Sequence, residues 1–168
     1  MAIIEKPVSM YDGNHMDIVL INALLHSLYT IFDTMVGLDI EPGIPGLKQE
    51  RVAKGDISAL IGMKAAGAHG SVALTLTPPA IREISHGLLG EEVGESGREA
   101  ADLAGEIANM LVGGAKRILA ERGLDFDMQT PQLLEGEGHE IVHHYSGQTV
   151  LLPVRVGDGE FFIELNFV

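Results

Sequence analysis

Glu106 and Asn109 stand three residues apart in the run Gly105-Glu106-Ile107-Ala108-Asn109-Met110. On a helix that spacing sets an acid and a carboxamide one turn apart on the same surface, offered together to whatever docks there. The carboxylate can hold a cation. The carboxamide can both donate to and accept from a water without changing its protonation state. Asp102, Gly105, Gly113 and Lys116 fall on the same face at steps of three or four and are the candidate partner-contacting residues beside the pair. Alone, E-x-x-N is a weak signal, because solvated helix faces carry the same spacing. No Ser-His-Asp set, phosphate-cradling glycine loop or cysteine nucleophile competes with it.

A second motif, His139-Glu140-Ile141-Val142-His143, matches the H-E-x-x-H zinc-hydrolase signature. That chemistry needs a helix, which brings residues four apart onto one face so that both imidazoles reach one zinc at about 2 Å. Here the segment follows Gly136-Glu137-Gly138 and carries β-branched Ile141 and Val142. It reads as a strand, where the two rings would lie about 13 Å apart. The zinc reading is refused, no metal is assigned to the chain, and His139, His143 and His144 are expected to be solvated strand residues.

The element that must position Glu106 and Asn109 is a helix over 98–122, with apolar residues recurring at helical spacing from Ala100 to Leu119. Gly105, Gly113 and Gly114 lie inside it and together cost about 2–3 kcal/mol relative to alanine. Either tight packing within the chain or close approach by a partner must offset that cost. Ahead of it, a first helix is expected over 15–36, with Asn14 as N-cap, Asp17 as its partner and Gly37 as the stop. Asn22, His26, Tyr29 and Asp33 should form its outward stripe. Beyond the break at Pro42-Gly43-Ile44-Pro45-Gly46, three β-like runs follow at 47–53, 57–63 and 71–77, the last two joined by a small-residue hairpin. Pro78-Pro79 opens a short helix to about Leu89. After the long helix come an extended segment at 126–134 and runs at 139–145, 148–156 and 160–167 separated by glycine-rich turns. The order α-βββ-αα-ββββ reads as α+β: one antiparallel sheet with two long helices and one short helix on a face.

The 168 residues suit a single domain over 1–168, with 1–13 as a loose arm. A net charge of -13 opposes nucleic acid and anionic membranes as partners. Without cysteine the chain has no disulfide or thiolate metal site, and its first residues lack a secretion signal, so a cytoplasmic location is expected. The apolar stretch 18–36 approaches membrane-span length, but its polar positions argue for a helix of a soluble core.

The run from Gly105 to Met110, with Gly113 following, resembles the signature helix of the CheC/CheX family of chemotaxis phosphatases. The likeness extends over nearly the whole chain. Residues 125–136, DFDMQTPQLLEG, resemble the family's extended segment after that helix, and Gly70-Ser71-Val72-Ala73-Leu74 is similar to the strand before the short helix. The first helix, bearing Asn22-Ala23, also matches. Members of the CheC type carry two signature helices; this chain has one, since 18–36 contains no E-x-x-N, so the resemblance is to the single-site CheX type. Ala108 stands where a glycine is common, a small-for-small change.

This resemblance implies a homodimer of α+β subunits that dephosphorylates a CheY-type response regulator. It assigns Asn109 to orienting the attacking water and Glu106 to the receiver's active-site lysine. The chain then needs no cofactor of its own, the magnesium ion being the receiver's. A second class of function stays open: a receiver-binding or scaffold module whose helix docks without accelerating hydrolysis.

Overall fold

Most apolar faces in this chain find cover on one of the two sides of a single sheet. The structure is a computed structural model that describes residues 15–95, 97–145 and 147–167, with side chains from Ile18 onward. Helix α1 (His15–Ile31) runs on through a π-helical turn (Phe32–Val36) to Gly37, whose φ of 73° lets its N–H close on Phe32 O at 2.8 Å. The Asn14 cap lies outside the described residues, as does the side chain of its Asp17 partner. Strands β1 (Ile40–Pro42) and β2 (Gly46–Lys48) come next, then the hairpin β3 (Ile57–Ala65) and β4 (Ala68–Leu76). Helix α2 (Pro78–Leu89) is capped by Thr77 and ended by Gly90, and helix α3 is Arg98–Glu121. Strands β5 (Asp127–Met128), β6 (Gln132–Glu135), β7 (Thr149–Val156) and β8 (Gly159–Phe167) complete the chain.

All pairings are antiparallel, in the order β1-β7-β8-β4-β3-β5, with β2 on β7 and β6 on β3. The β3–β4 turn is tighter than expected: Ala65 pairs with Ala68, and Gly67 takes a φ of 79° that few other residues tolerate. The expected strand at 47–53 shrinks to β2 and a single bridge at Val52, and β1 is an addition.

Alternation along the strands divides the sheet. Ile57, Ala59, Ile61 and Met63 of β3, Val72, Leu74 and Leu76 of β4, and Phe161, Ile163 and Leu165 of β8 join the main core with all three helices. Among the described residues, one stretch, Ile18–Val36, is long and apolar enough to cross a membrane; Leu20, Leu24 and Leu28 within it are buried in that core. Of the stripe expected to face outward on α1, His26 and Asp33 are exposed while Asn22 and Tyr29 are half-buried. The helix packs on α3, where the buried Ser27 hydroxyl donates to Leu111 O at 2.8 Å.

The opposite side of the sheet is roofed by residues 136–145, and here the expected strand at 139–145 is corrected. The segment makes one bridge, Glu140 to Val52, and is otherwise irregular. Two of its histidines, His139 and His143, are partners of the sheet rather than solvated strand residues. His139 Nε2 lies 2.7 Å from Ser58 Oγ on β3, and His143 Nδ1 lies 2.6 Å from Ser71 Oγ on β4. The buried Ser71 hydroxyl on the sheet's outer face finds its partner in His143, and His139 adds a second partner to Ser58, whose Oγ also lies 2.7 Å from Thr75 Oγ1. His144 remains exposed.

Candidate functional site

Helix α3 is long because its buried positions recur without interruption, from Ala100 through Ile107 and Leu111 to Leu119. Its 24 residues span about 36 Å. Burial of that face turns Asp102, Glu106 and Asn109 outward, and all three are exposed. Neither Glu106 nor Asn109 makes a side-chain hydrogen bond or ion pair within the described residues. Asp102 lies 3.5 Å from Arg98, an exposed pair one turn apart that adds little stability. Lys116 is half-buried farther along the helix.

The three helix glycines separate by surroundings. A Cβ at Gly114 would stand 3.0 Å from Ser27 Cβ and closer still to its hydroxyl, so this glycine lets α1 and α3 cross. Gly105 does not lie on the open surface as the spacing suggested: it is buried, and a Cβ there would come 3.1 Å from Leu133 Cδ2 of β6. Above Gly113 there is nothing within 4 Å. Internal packing therefore accounts for two of the glycines and leaves Gly113, one turn beyond Asn109, as the flat and open one. Ala108 is 2% exposed and faces the core, which is why its exchange for a glycine leaves the outer surface unchanged.

Beside Glu106 lies a cleft of about 530 Å³ that spacing alone did not reveal. Its apolar wall is built from Met35, Leu88, Leu89, Val93, Leu103 and Met110, and carboxylates of Glu91, Glu99, Asp102 and Glu106 line it as well. Gly87 makes the wall possible, because a Cβ there would lie 2.5 Å from the Val36 carbonyl; its absence lets the end of α2 sit against the π-helical turn that carries Met35. The loop beyond α2 is tied back by Val93 N donating to Ser85 Oγ at 3.3 Å. No periodicity marks such a cleft, which draws on three separated stretches.

On the far side of the sheet a buried polar network ties the roof down. Lys48 Nζ donates to Glu164 Oε2 at 2.7 Å, with the side chains 2% and 1% exposed, and His143 Nε2 lies 3.1 Å from Glu164 Oε1. Each histidine of the H-E-x-x-H run is thus committed to a different strand. Among the described residues no three His, Asp or Glu side chains converge as a metal site.

Comparison with known proteins fits this arrangement. The family model described as chemotaxis phosphatase CheX matches residues 57–155, more than half of the chain and inclusive of the exposed pair. This chain belongs to the CheX family. A CheC-like superfamily protein from Shewanella sp. PV-4 is 39% identical, with a TM-score of 0.82 over 93% of this chain and 99% of that one. Chemotaxis protein CheX from Vibrio vulnificus is 42% identical, with a TM-score of 0.80 over 89% of this chain and 99% of that one. The CheX–CheY–BeF3–Mg2+ complex from Borrelia burgdorferi shares the fold at 22% identity, with a TM-score of 0.73 over 88% of this chain and 97% of that one. No curated protein sequence matches significantly.

Proposed function

We propose that the chain hydrolyses the aspartyl phosphate of a CheY-type response regulator, with α3 docked over the receiver's phosphorylation pocket. The observation that carries this reading is the exposure of Glu106 and Asn109, a turn apart and without internal partners, beside the open surface at Gly113. Membership of a chemotaxis phosphatase family supports the reaction, and the CheY in the Borrelia complex supports the partner.

An aspartyl phosphate is a reactive mixed anhydride, so its hydrolysis needs a water held in line with the phosphorus and the bond to the carboxylate oxygen. Asn109 is suited to holding it, because its amide oxygen accepts a hydrogen bond from the water and turns a lone pair of the water towards phosphorus. The P–O bond to the aspartate then breaks, inorganic phosphate leaves, and the water's protons pass to phosphate and solvent. Glu106 pairs with the receiver's active-site lysine and fixes the rotation of the helix over the pocket. The magnesium ion this chemistry uses is the receiver's and neutralises phosphoryl charge there. In this reading α3 contributes Asp102, Gly113 and Lys116 to the contact, and Gly105 acts by holding the helix against β6. In this reading the chain is a cytoplasmic homodimer, and light scattering of the purified protein tests the dimer.

The deciding experiment is the decay of phosphorylated receivers from the same genome, each with and without the wild-type chain. Faster decay of one of them is expected. Unchanged decay of a receiver that binds at saturating protein leaves the non-catalytic docking module in its place.

A further inference from the structure

Apart from Glu106 and Asp102, the residues lining the cleft beside Glu106 take no part in the proposed hydrolysis or contact. Met35 and Leu89 on its wall are 50% and 51% exposed, whereas most large apolar side chains among the described residues are buried in the core. Its four carboxylates face no cation among the lining residues, and the nearest ion pair is the loose one between Asp102 and the exposed Arg98. Glu106 belongs to both the cleft and the exposed pair, so a partner docked on Glu106 stands at the cleft's edge.

From this we infer that the cleft is the affinity and selectivity site for the receiver: it accepts an apolar side chain that projects from a basic surface flanking the phosphorylation pocket. The inference rests on the receiver reading. Charge fixes the kind of partner, since a lysine opposite Glu106 and further cations opposite Glu91 and Glu99 would meet carboxylates without an ion-pair partner among the described residues, beside an Asp102 only loosely paired with Arg98. Geometry separates the two roles along α3: Asn109 faces the reacting phosphoryl group, while Met35, Leu89 and Met110 stand to one side and bury apolar surface equally well before and during the reaction. Binding of that kind alters KM and leaves kcat unchanged. Two neighbouring elements preset the cleft, α2 against Val36 through Gly87 and the Val93 loop through Ser85. Little ordering cost therefore falls on the docking step.

The test uses full-length protein and the CheY-type receiver whose phosphate loss the wild type accelerates, phosphorylated with acetyl phosphate, followed across receiver concentrations. Leu89→Asp and Met35→Asp should each raise KM about tenfold or more with kcat within about twofold of wild type. Asn109→Ala should show the reverse split. Both aspartate substitutions are at half-exposed positions, and an unchanged melting temperature checks their folding. Acceleration by the wild type with unaltered KM in both variants overturns the inference and leaves the proposed reaction standing. If the variants instead lose the dimer, with KM unchanged, a second copy of the chain occupies the cleft and the inference also fails. A wild type that neither binds nor accelerates any receiver removes the proposed function and the inference together.

Discussion

Replacing Gly113 and Gly114, one at a time, by alanine should move stability in opposite directions, although the two are adjacent on one helix. At Gly113 an added Cβ meets nothing within 4 Å, so the gain is the helix propensity of alanine over glycine, up to about 1 kcal/mol. At Gly114 the same gain is opposed by Ser27, which an added Cβ would approach to 3.0 Å at its Cβ and closer at its Oγ. Overpacking of that kind costs about 1–3 kcal/mol, and displacing the hydroxyl also endangers its bond to Leu111 O, for about 0.5–1.5 kcal/mol more. The net effect at Gly114 is a loss of about 0.5–3.5 kcal/mol. For a chain of this size each kcal/mol shifts the melting temperature by about 2–4 °C. Thermal unfolding followed by circular dichroism reads both variants. Gly113→Ala should melt a few degrees higher and Gly114→Ala several degrees lower. Equal shifts, or a stabilised Gly114→Ala, would refute the division of the glycines into one that serves packing and one that serves docking. The second part of the prediction is functional: Gly113→Ala, the more stable protein, should dephosphorylate the receiver less efficiently, because its methyl group stands in the partner's approach.

Lys48→Met leaves the Glu164 carboxylate buried without its cation and should cost about 3–5 kcal/mol in chemical denaturation. Adding Glu164→Met should recover part of that loss; a double variant as unstable as the sum of the single ones would contradict the pairing. His143→Ala removes partners from both Ser71 and Glu164, so roughly 2–4 kcal/mol should be lost, and zinc should not raise the melting temperature of the wild type. Zinc stabilisation by several degrees that disappears in His143→Ala would reinstate the H-E-x-x-H reading. Glu106→Ala should leave the melting temperature within about a degree of wild type while weakening receiver binding, measured by titration calorimetry; unaltered affinity would detach Glu106 from the interface.

Much of this molecule could be read before folding was considered, and the failures have physical causes. The outward turn of Asp102, Glu106 and Asn109 followed from the 3.6-residue period, because the buried side of α3 is crowded with apolar side chains that leave no alternative. The stop at Gly37 and the start at Pro78 followed from backbone geometry that few other residues supply. Gly105 was misplaced because a residue without a side chain does not announce which neighbour it admits; Leu133 arrives from a strand far along the chain. The roof at 139–145 has the residue types of a strand, yet His139 and His143 bind hydroxyls on β3 and β4, and those distant partners outweigh local β preference. The cleft was invisible for a related reason. Met35, Leu89 and Met110 each read as the end or flank of an apolar stripe, and the close approach of Gly87 to Val36 is a tertiary contact that no local pattern announces.

The central claim is that an exposed carboxamide on α3 places the attacking water. A single-turnover assay with phosphorylated receiver and excess protein tests it most directly, by comparing wild type with Asn109→Ala. The variant should bind the receiver and melt as wild type does, while losing most of the acceleration, a factor of about a hundred or more. A variant that still dephosphorylates the receiver at the wild-type rate would contradict the account.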